Sequence, residues 1–157
     1  LVTTRPAAAT WAAQALALRF EAIATVYATS AQPLPQGAAM LALRNGPGAP
    51  AQFVFDKGAL GGPTGWLAFV VSACGDDREQ LQAEVMLQAQ ALGLGPLRVQ
   101  QTVVEKRATF ACTPQLQRPP SHMGNGLWAV ADFVAGPYPA TLEGAVRCGL
   151  AAGARSD

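Results

Sequence analysis

Residues 66–73 constrain the fold more than any other stretch: they are apolar except for Ser72, and Gly65 and Gly75 bracket them closely. The run is far shorter than the ~18 apolar residues a membrane helix needs. An unbroken apolar run of strand length belongs in the middle of a sheet, covered on both faces. The next segment has the pattern of a helix that could cover one of those faces. Asp76-Asp77-Arg78-Glu79-Gln80 offers an N-cap and an acidic first turn, and Leu81, Val85, Ala89 and Leu92 recur on one helical face. Gly93 is suited to the left-handed C′ position that ends a helix.

Other segments supply the neighbours of that strand. Residues 21–29 and 97–112 carry β-branched and aromatic residues and read as strands, the second with a change of alternation near Val103 and Val104 that predicts a bulge. Residues 40–43 and 52–56 flank the turn signal Asn45-Gly46-Pro47-Gly48 and predict a hairpin. Pro6 followed by an Ala-rich stretch to residue 17 predicts a helix with Trp11, Ala15 and Leu18 near one face. Residues 58–65 and 118–126 read as loops. Residues 127–133 read as a short apolar strand ending near Asp132, and 141–154 as a last helix, apolar at Leu142, Ala145, Val146, Gly149 and Leu150. The order predicts an α+β fold, a mainly antiparallel or mixed sheet with helices on one side.

Composition excludes several classes. Half of the 157 residues are hydrophobic and 13% are charged, against about 25% in an ordinary soluble domain. Disorder and coiled coil both need more charge. Net charge is +1 with no basic cluster, so nucleic acid is not an expected partner. Roughly a fifth of the chain is alanine, so the core is thinner than the apolar fraction suggests, and so apolar a chain is expected to have a surface that a partner covers. Cys74, Cys112 and Cys148 are far apart and odd in number, which argues against a disulfide framework and for a reducing compartment. With His122 they do not have metal-ligand spacing, so no metal site is expected. The chain opens on Leu1, with no signal-peptide pattern, and is expected to be a piece of a longer protein or a processed product.

Few residues suggest chemistry. Residues 46–51 spell GxGxxA, yet the segment after them reads as a strand where a phosphate loop must open a helix. His122 lies in a Pro/Gly/Asn-rich loop without an orienting partner. Cys112 and Cys148 read as small core residues. Glu105-Lys106-Arg107 puts three charges in mid-strand: either an edge strand with solvated charges, or a strand end that points Arg107 into a cleft. Asp132 either accepts hydrogen bonds from ligand hydroxyls or caps a turn. The start of the last helix, near residues 140–142, offers free N–H groups and the positive end of a helix dipole.

The run Val130-Ala131-Asp132-Phe133, followed by Tyr138-Pro139-Ala140-Thr141-Leu142-Glu143-Gly144-Ala145-Val146-Arg147-Cys148-Gly149, resembles the C-terminal FAD-binding segment of flavin-dependent amine oxidases and phytoene desaturases. There a Gly-Asp or Gly-Glu strand end leads through a Pro-containing loop into a helix of the form (S/T)-(M/L)-E-G-A-V-x-S-G. The likeness is greater to the squalene-associated branch, the hydroxysqualene dehydroxylases, and residues 24–27, 52–58 and 105–114 add to it. Two positions differ: Ala131 stands for the family glycine and Cys148 for the family serine. The strand–GxGxxG–helix that holds the ADP half of FAD is absent.

The resemblance implies a C-terminal fragment of a FAD-dependent oxidoreductase. Residues 1–126 would be a portion of the substrate domain and 127–157 the closing FAD-binding strand and helix. Asp132 would bond the ribityl hydroxyls, and the backbone at Ala131 would lie near the pyrophosphate. The amides of Ala140, Thr141 and Leu142 would face the pyrimidine edge of the flavin and stabilise its anionic reduced form. Arg107 is the one side chain suggested for the substrate cavity, and no catalytic residue is assigned. The sheet would wall a cavity for an apolar isoprenoid, in the family reaction that converts hydroxysqualene to squalene for hopanoid synthesis. The expected partner is the N-terminal dinucleotide-binding half, without which the isolated chain is expected to be inactive and to form a homodimer through the uncovered face. The parent is expected in the cytoplasm, peripheral to the inner membrane. A carotenoid desaturase or amine oxidase of the same superfamily is one alternative, and a stand-alone lipid- or protein-binding module is another.

Overall fold

The computed structural model describes residues 6–124 and 126–154; the reading of Leu1 and Val2 lies outside them. The elements are α1 (Pro6–Leu16), β1 (Phe20–Ser30), β2 (Met40–Ala42), β3 (Phe53–Asp56), β4 (Trp66–Ser72), α2 (Arg78–Ala91), β5 (Leu97–Phe110), β6 (His122–Gly124), β7 (Leu127–Trp128) and α3 (Leu142–Gly153). A short 3-10 turn, Pro35–Gly37, separates β1 and β2. The fold is α+β with a mostly antiparallel sheet and three helices. Its residues group into two compact units, one of Glu21–Ala108 and one of the segment ending at Phe20 with that starting at Thr109.

The first unit is built on the sheet β2-β3-β4-β1-β5. β4 lies inside it, as its apolar run requires, with Leu67, Ala68, Phe69 and Val71 all buried. β1 and β4 pair antiparallel, placing Ala24 beside Val71, Val26 beside Phe69 and Ala28 beside Leu67. These residues join Leu81, Val85 and Ala89 of α2 in one core. Small side chains at 24, 28 and 89 let helix and sheet approach closely. β2 and β3 form the hairpin expected around residues 45–51. Residues 46 and 49 bridge inside that turn and β3 comes after it, so the GxGxxA string opens no helix.

α2 begins as its sequence predicts: the Asp77 carboxylate accepts from the N–H of Gln80 at 2.9 Å. Gly93 stands just beyond the helix with φ +72°. Leu92, expected on the buried stripe, is instead exposed, and Leu94 joins the core after the chain has turned at Gly93. On β5 the inward parity changes at residues 100–101 rather than 103–104: Leu97 and Val99 are half-buried, then Thr102 and Val104 face inward. β5 is an edge strand, and Glu105, Lys106 and Arg107 are exposed on it. The charges occupy the position where they discourage pairing with another chain.

The second unit holds α1, the β6/β7 hairpin and α3. Of the three helices, only α2 therefore belongs to the unit with the five-stranded sheet. Residues 122–124, read as loop, form β6. Conversely, the strand expected over 127–133 is only Leu127–Trp128. The backbone leaves the ladder after Trp128, Val130 is half-exposed and Asp132 lies in a turn. The apolar run at 127–134 serves a packed loop rather than a strand: Val134 is buried, and Phe133 lies 6.3 Å from the Trp11 ring.

Candidate functional site

The loop between β7 and α3 is fixed by side chains that replace a ladder. Arg118 donates through Nη1 to the carbonyl of Val134 at 2.7 Å and through Nη2 to that of Gly136. The N–H of Ala135 reaches the carbonyl of Pro119 at 2.8 Å. Ser121 closes the other end. Its carbonyl accepts from the N–H of Ala129 at 2.7 Å, and its hydroxyl donates to the Ala129 carbonyl at 3.0 Å. Trp11 anchors α1 to the same segment through Nε1 and the carbonyl of Pro120, 2.7 Å apart. Carbonyls that would otherwise be left without donors are thereby satisfied.

Between this loop and α3 lies a cleft of about 500 Å³. Ala131, Asp132, Val134 and Pro137 line it from the loop; Gly144, Arg147, Cys148 and Ala151 line it from the helix. The Asp132 side chain is half-buried, and among the described residues its carboxylate has no hydrogen-bond partner. The Asp132 main-chain carbonyl accepts from the N–H of Ala140 at 3.4 Å. The Arg147 guanidinium is held elsewhere: it pairs with Glu143 one turn earlier and lies 5.1 Å from the Tyr138 ring centroid. The lining is thus mainly apolar, with one acceptor free to take a hydroxyl. Ligand sites commonly combine an apolar lining with a few placed polar groups in this way.

The entry to α3 is over-determined. Thr141 is the N-cap, its Oγ1 accepting from the N–H of Gly144 at 3.0 Å and donating to the Tyr138 carbonyl at 2.7 Å. Tyr138 and Ala140 both adopt left-handed backbone, at φ +58° and +56°, which costs a non-glycine residue free energy that surrounding contacts must offset. Leu142 and Glu143, in the first turn, have no hydrogen-bonded amide among the described residues.

The residues singled out from sequence therefore separate. Ala131 and Asp132 come together on the cleft wall. Ala140 is half-buried, and its N–H is directed at Asp132; Thr141 and Leu142 are exposed at the helix start and do not line the cleft. Arg107 is exposed on β5, in the other unit. His122 is exposed on β6 with its ring 4.8 Å from that of Trp128. Cys112, read as a core residue, is exposed because the chain has already left β5. Cys148 is half-buried, its Sγ 3.7 Å from Ser121 Oγ and 3.6 Å from the Ala129 carbonyl. Arg118, Ser121 and Gly144 were not singled out as site residues, although they shape the cleft. Only Gly144 left a trace in the sequence, a glycine in the first turn of a predicted helix, where it costs stability unless space demands it.

Three His, Cys, Asp or Glu side chains do not gather as a metal site anywhere among the described residues. No described helix is long and apolar enough to cross a membrane. Compared with protein families, with curated proteins and with solved structures, the chain has no match.

Proposed function

We propose that this chain is the C-terminal portion of a FAD-dependent oxidoreductase acting on an isoprenoid, with the reductive removal of the hydroxyl of hydroxysqualene as its reaction. The observation that carries the reading is the Asp132 carboxylate, half-buried on an apolar cleft wall next to Ala131 and without a protein partner among the described residues. The residues fit a hydroxyl-bearing part of the cofactor such as the ribityl chain. A carboxylate accepts from hydroxyls and leaves the apolar lining to the rest of the ligand. Ala131 would lie against the pyrophosphate. Of the three amides suggested for the pyrimidine edge, those of Thr141 and Leu142 remain available, whereas that of Ala140 is directed at the Asp132 carbonyl. The bound flavin would supply the redox chemistry.

The ADP half of FAD requires a separate N-terminal dinucleotide-binding segment. In the sheet unit a groove of about 560 Å³, lined by Met86, Leu94, Leu97 and Val99 together with Gln90 and the backbone of residues 93–96, offers a hydrocarbon a partly apolar wall. The parent would work in the cytoplasm, against the inner membrane from which it takes its substrate. A carotenoid desaturase or an amine oxidase would use the same cofactor residues. A second reading, a non-catalytic module that binds lipid or protein, is favoured by the exposure of Leu142, Val146 and Leu150 on α3.

The test uses the longer protein that contains this chain. Asp132→Ala is expected to lower the flavin retained on purification, while Arg107→Ala leaves it unchanged. Full flavin content in the Asp132 variant would remove the proposed role.

A further inference from the structure

β3 ends on a carboxylate that the fold buries without a counter-ion. Asp56 is 7% exposed and pairs in register with Leu67 of β4. Its Oδ1 accepts from the N–H groups of Gly58 at 2.9 Å and Ala59 at 3.2 Å. Its Oδ2 has no partner among the described residues, yet no buried side-chain oxygen there lacks one. Oδ2 therefore keeps an opening, and Asp56 lines a cavity of about 610 Å³ with Ser30, Gln32, Thr64 and Gly65. Among the described residues no Lys, Arg or His lines this cavity, and all of its lining belongs to the unit Glu21–Ala108. A buried charge is costly until it is paired. The two N–H bonds to Oδ1 serve the turn after β3 and leave the second oxygen unused.

The walls are held from both sides. Gly65 has φ +75°, and a Cβ there would lie 2.9 Å from the Ser30 carbonyl oxygen, so the walls meet backbone to backbone. Ser30 Oγ donates to the Gln32 carbonyl at 2.7 Å and accepts from the Gln32 N–H at 3.1 Å, which fixes the segment that carries Gln32. The Gln32 carboxamide and the Thr64 hydroxyl are exposed on this lining and have no hydrogen-bond partner among the described residues. Each of these groups can both donate and accept.

We propose that this cavity binds a small hydroxylated amine, with its ammonium group on Asp56 Oδ2 and its hydroxyls on Gln32 and Thr64. An ammonium supplies the missing counter-ion together with a charge-assisted hydrogen bond. An anion would be repelled. A divalent metal ion fits less well: it takes about six to eight oxygens, often from several carboxylates, and Asp56 is the one acidic residue in the described lining. The cavity lies within the ~300–1,000 Å³ range of small-molecule sites. The proposal does not depend on the flavin reading.

Proton–nitrogen NMR titration of the chain tests this, at about 0.15 M salt so that diffuse attraction is screened. Ethanolamine and glucosamine are the probes, with ethylene glycol and glucose as their neutral counterparts. The expected result is saturable shifts of the amides at residues 30–32, 56–59 and 64–65 with an amine, and binding of its neutral counterpart at least about tenfold weaker. Asp56→Asn keeps an acceptor for the two N–H groups and removes the charge. It is expected to weaken the amine about tenfold or more. Gln32→Lys, at an exposed position that leaves the fold untouched, sets a competing ammonium in the cavity and is expected to weaken the amine likewise; it serves as the test if the Asp56 variant does not fold. No saturable shift with either amine overturns the proposal. So do shifts centred elsewhere, a neutral counterpart that binds as well as its amine, or amine binding unchanged in a folded Asp56→Asn or in Gln32→Lys.

Discussion

Gly144 and Tyr138 are in van der Waals contact through backbone alone: the Tyr138 carbonyl oxygen occupies the space where a Gly144 side chain would begin, closer than real Cβ atoms come to any neighbour. The same carbonyl accepts from Thr141 Oγ1, the cap of α3. The loop that carries Asp132 and the helix that forms the opposite wall of the cleft are therefore joined at a point that admits only glycine.

A Gly144→Ala substitution tests this joint by its sign. In an exposed helix, alanine in place of glycine stabilises by about 1 kcal/mol. Here the added methyl must displace the Tyr138 carbonyl, and we expect a loss of about 1–3 kcal/mol, the range for overpacking. Urea unfolding followed by far-ultraviolet circular dichroism reads the difference. A gain in stability would show that the loop relaxes freely and that the cleft wall is not held at this point.

Gln88 performs the corresponding task in the sheet unit. Its buried side chain accepts from the Ala51 N–H at 2.8 Å and donates to the Ala51 carbonyl at 2.9 Å and the Arg44 carbonyl at 3.1 Å. Gln88→Leu would leave buried main-chain groups without partners, for a predicted loss of about 2–4 kcal/mol. Denaturation midpoints of the variant and the parent chain provide the check. A change under about 0.5 kcal/mol, the usual size at surface positions, would mean that these groups find water instead.

These two contacts mark the limit of what the residues announce by themselves. The central strand, the hairpin at 40–56 and both ends of α2 come from local rules: an apolar run, a turn tetrapeptide, Asp77 and Gly93. The loop from Ala129 to Thr141 does not. Its apolar residues look like a strand because periodicity cannot tell a buried strand from a packed loop, and what holds it, Arg118 on two carbonyls, is a tertiary contact without a sequence pattern. The stripe on α3 was legible as apolar but not as exposed. Periodicity reports that a face exists and leaves open what covers it. Leu92 failed for a simpler reason: the helix had reached its cap one residue too early for that side chain to face the core.

Burial pushes the Cys74 thiol above its ordinary value, and the nearby Asp76 carboxylate adds to the effect, against a smaller opposing contribution from a backbone hydrogen bond. Between its ordinary and raised values, the native chain holds a proton that the unfolded chain has lost. The stabilisation is complete below the unfolded thiol pKa and fades as pH rises through the folded one. Cys74→Ala is expected to flatten the decline in stability on the alkaline side, as measured by urea midpoints across that range. Alkylation at about pH 8 should likewise label exposed Cys112 before Cys74, since the thiolate is the reactive form. Peptide mapping that finds Cys74 labelled first would contradict the burial assigned to it.

The oxidoreductase reading is tested most sharply on the polypeptide in its source cells, by intact mass together with the absorption spectrum of the purified native protein. We expect a chain of several hundred residues with a GxGxxG motif near its start and a bound flavin whose yellow absorption is lost on denaturation. A native polypeptide no longer than this one and free of flavin would overturn that reading and leave the exposed α3 surface as the guide to a binding role.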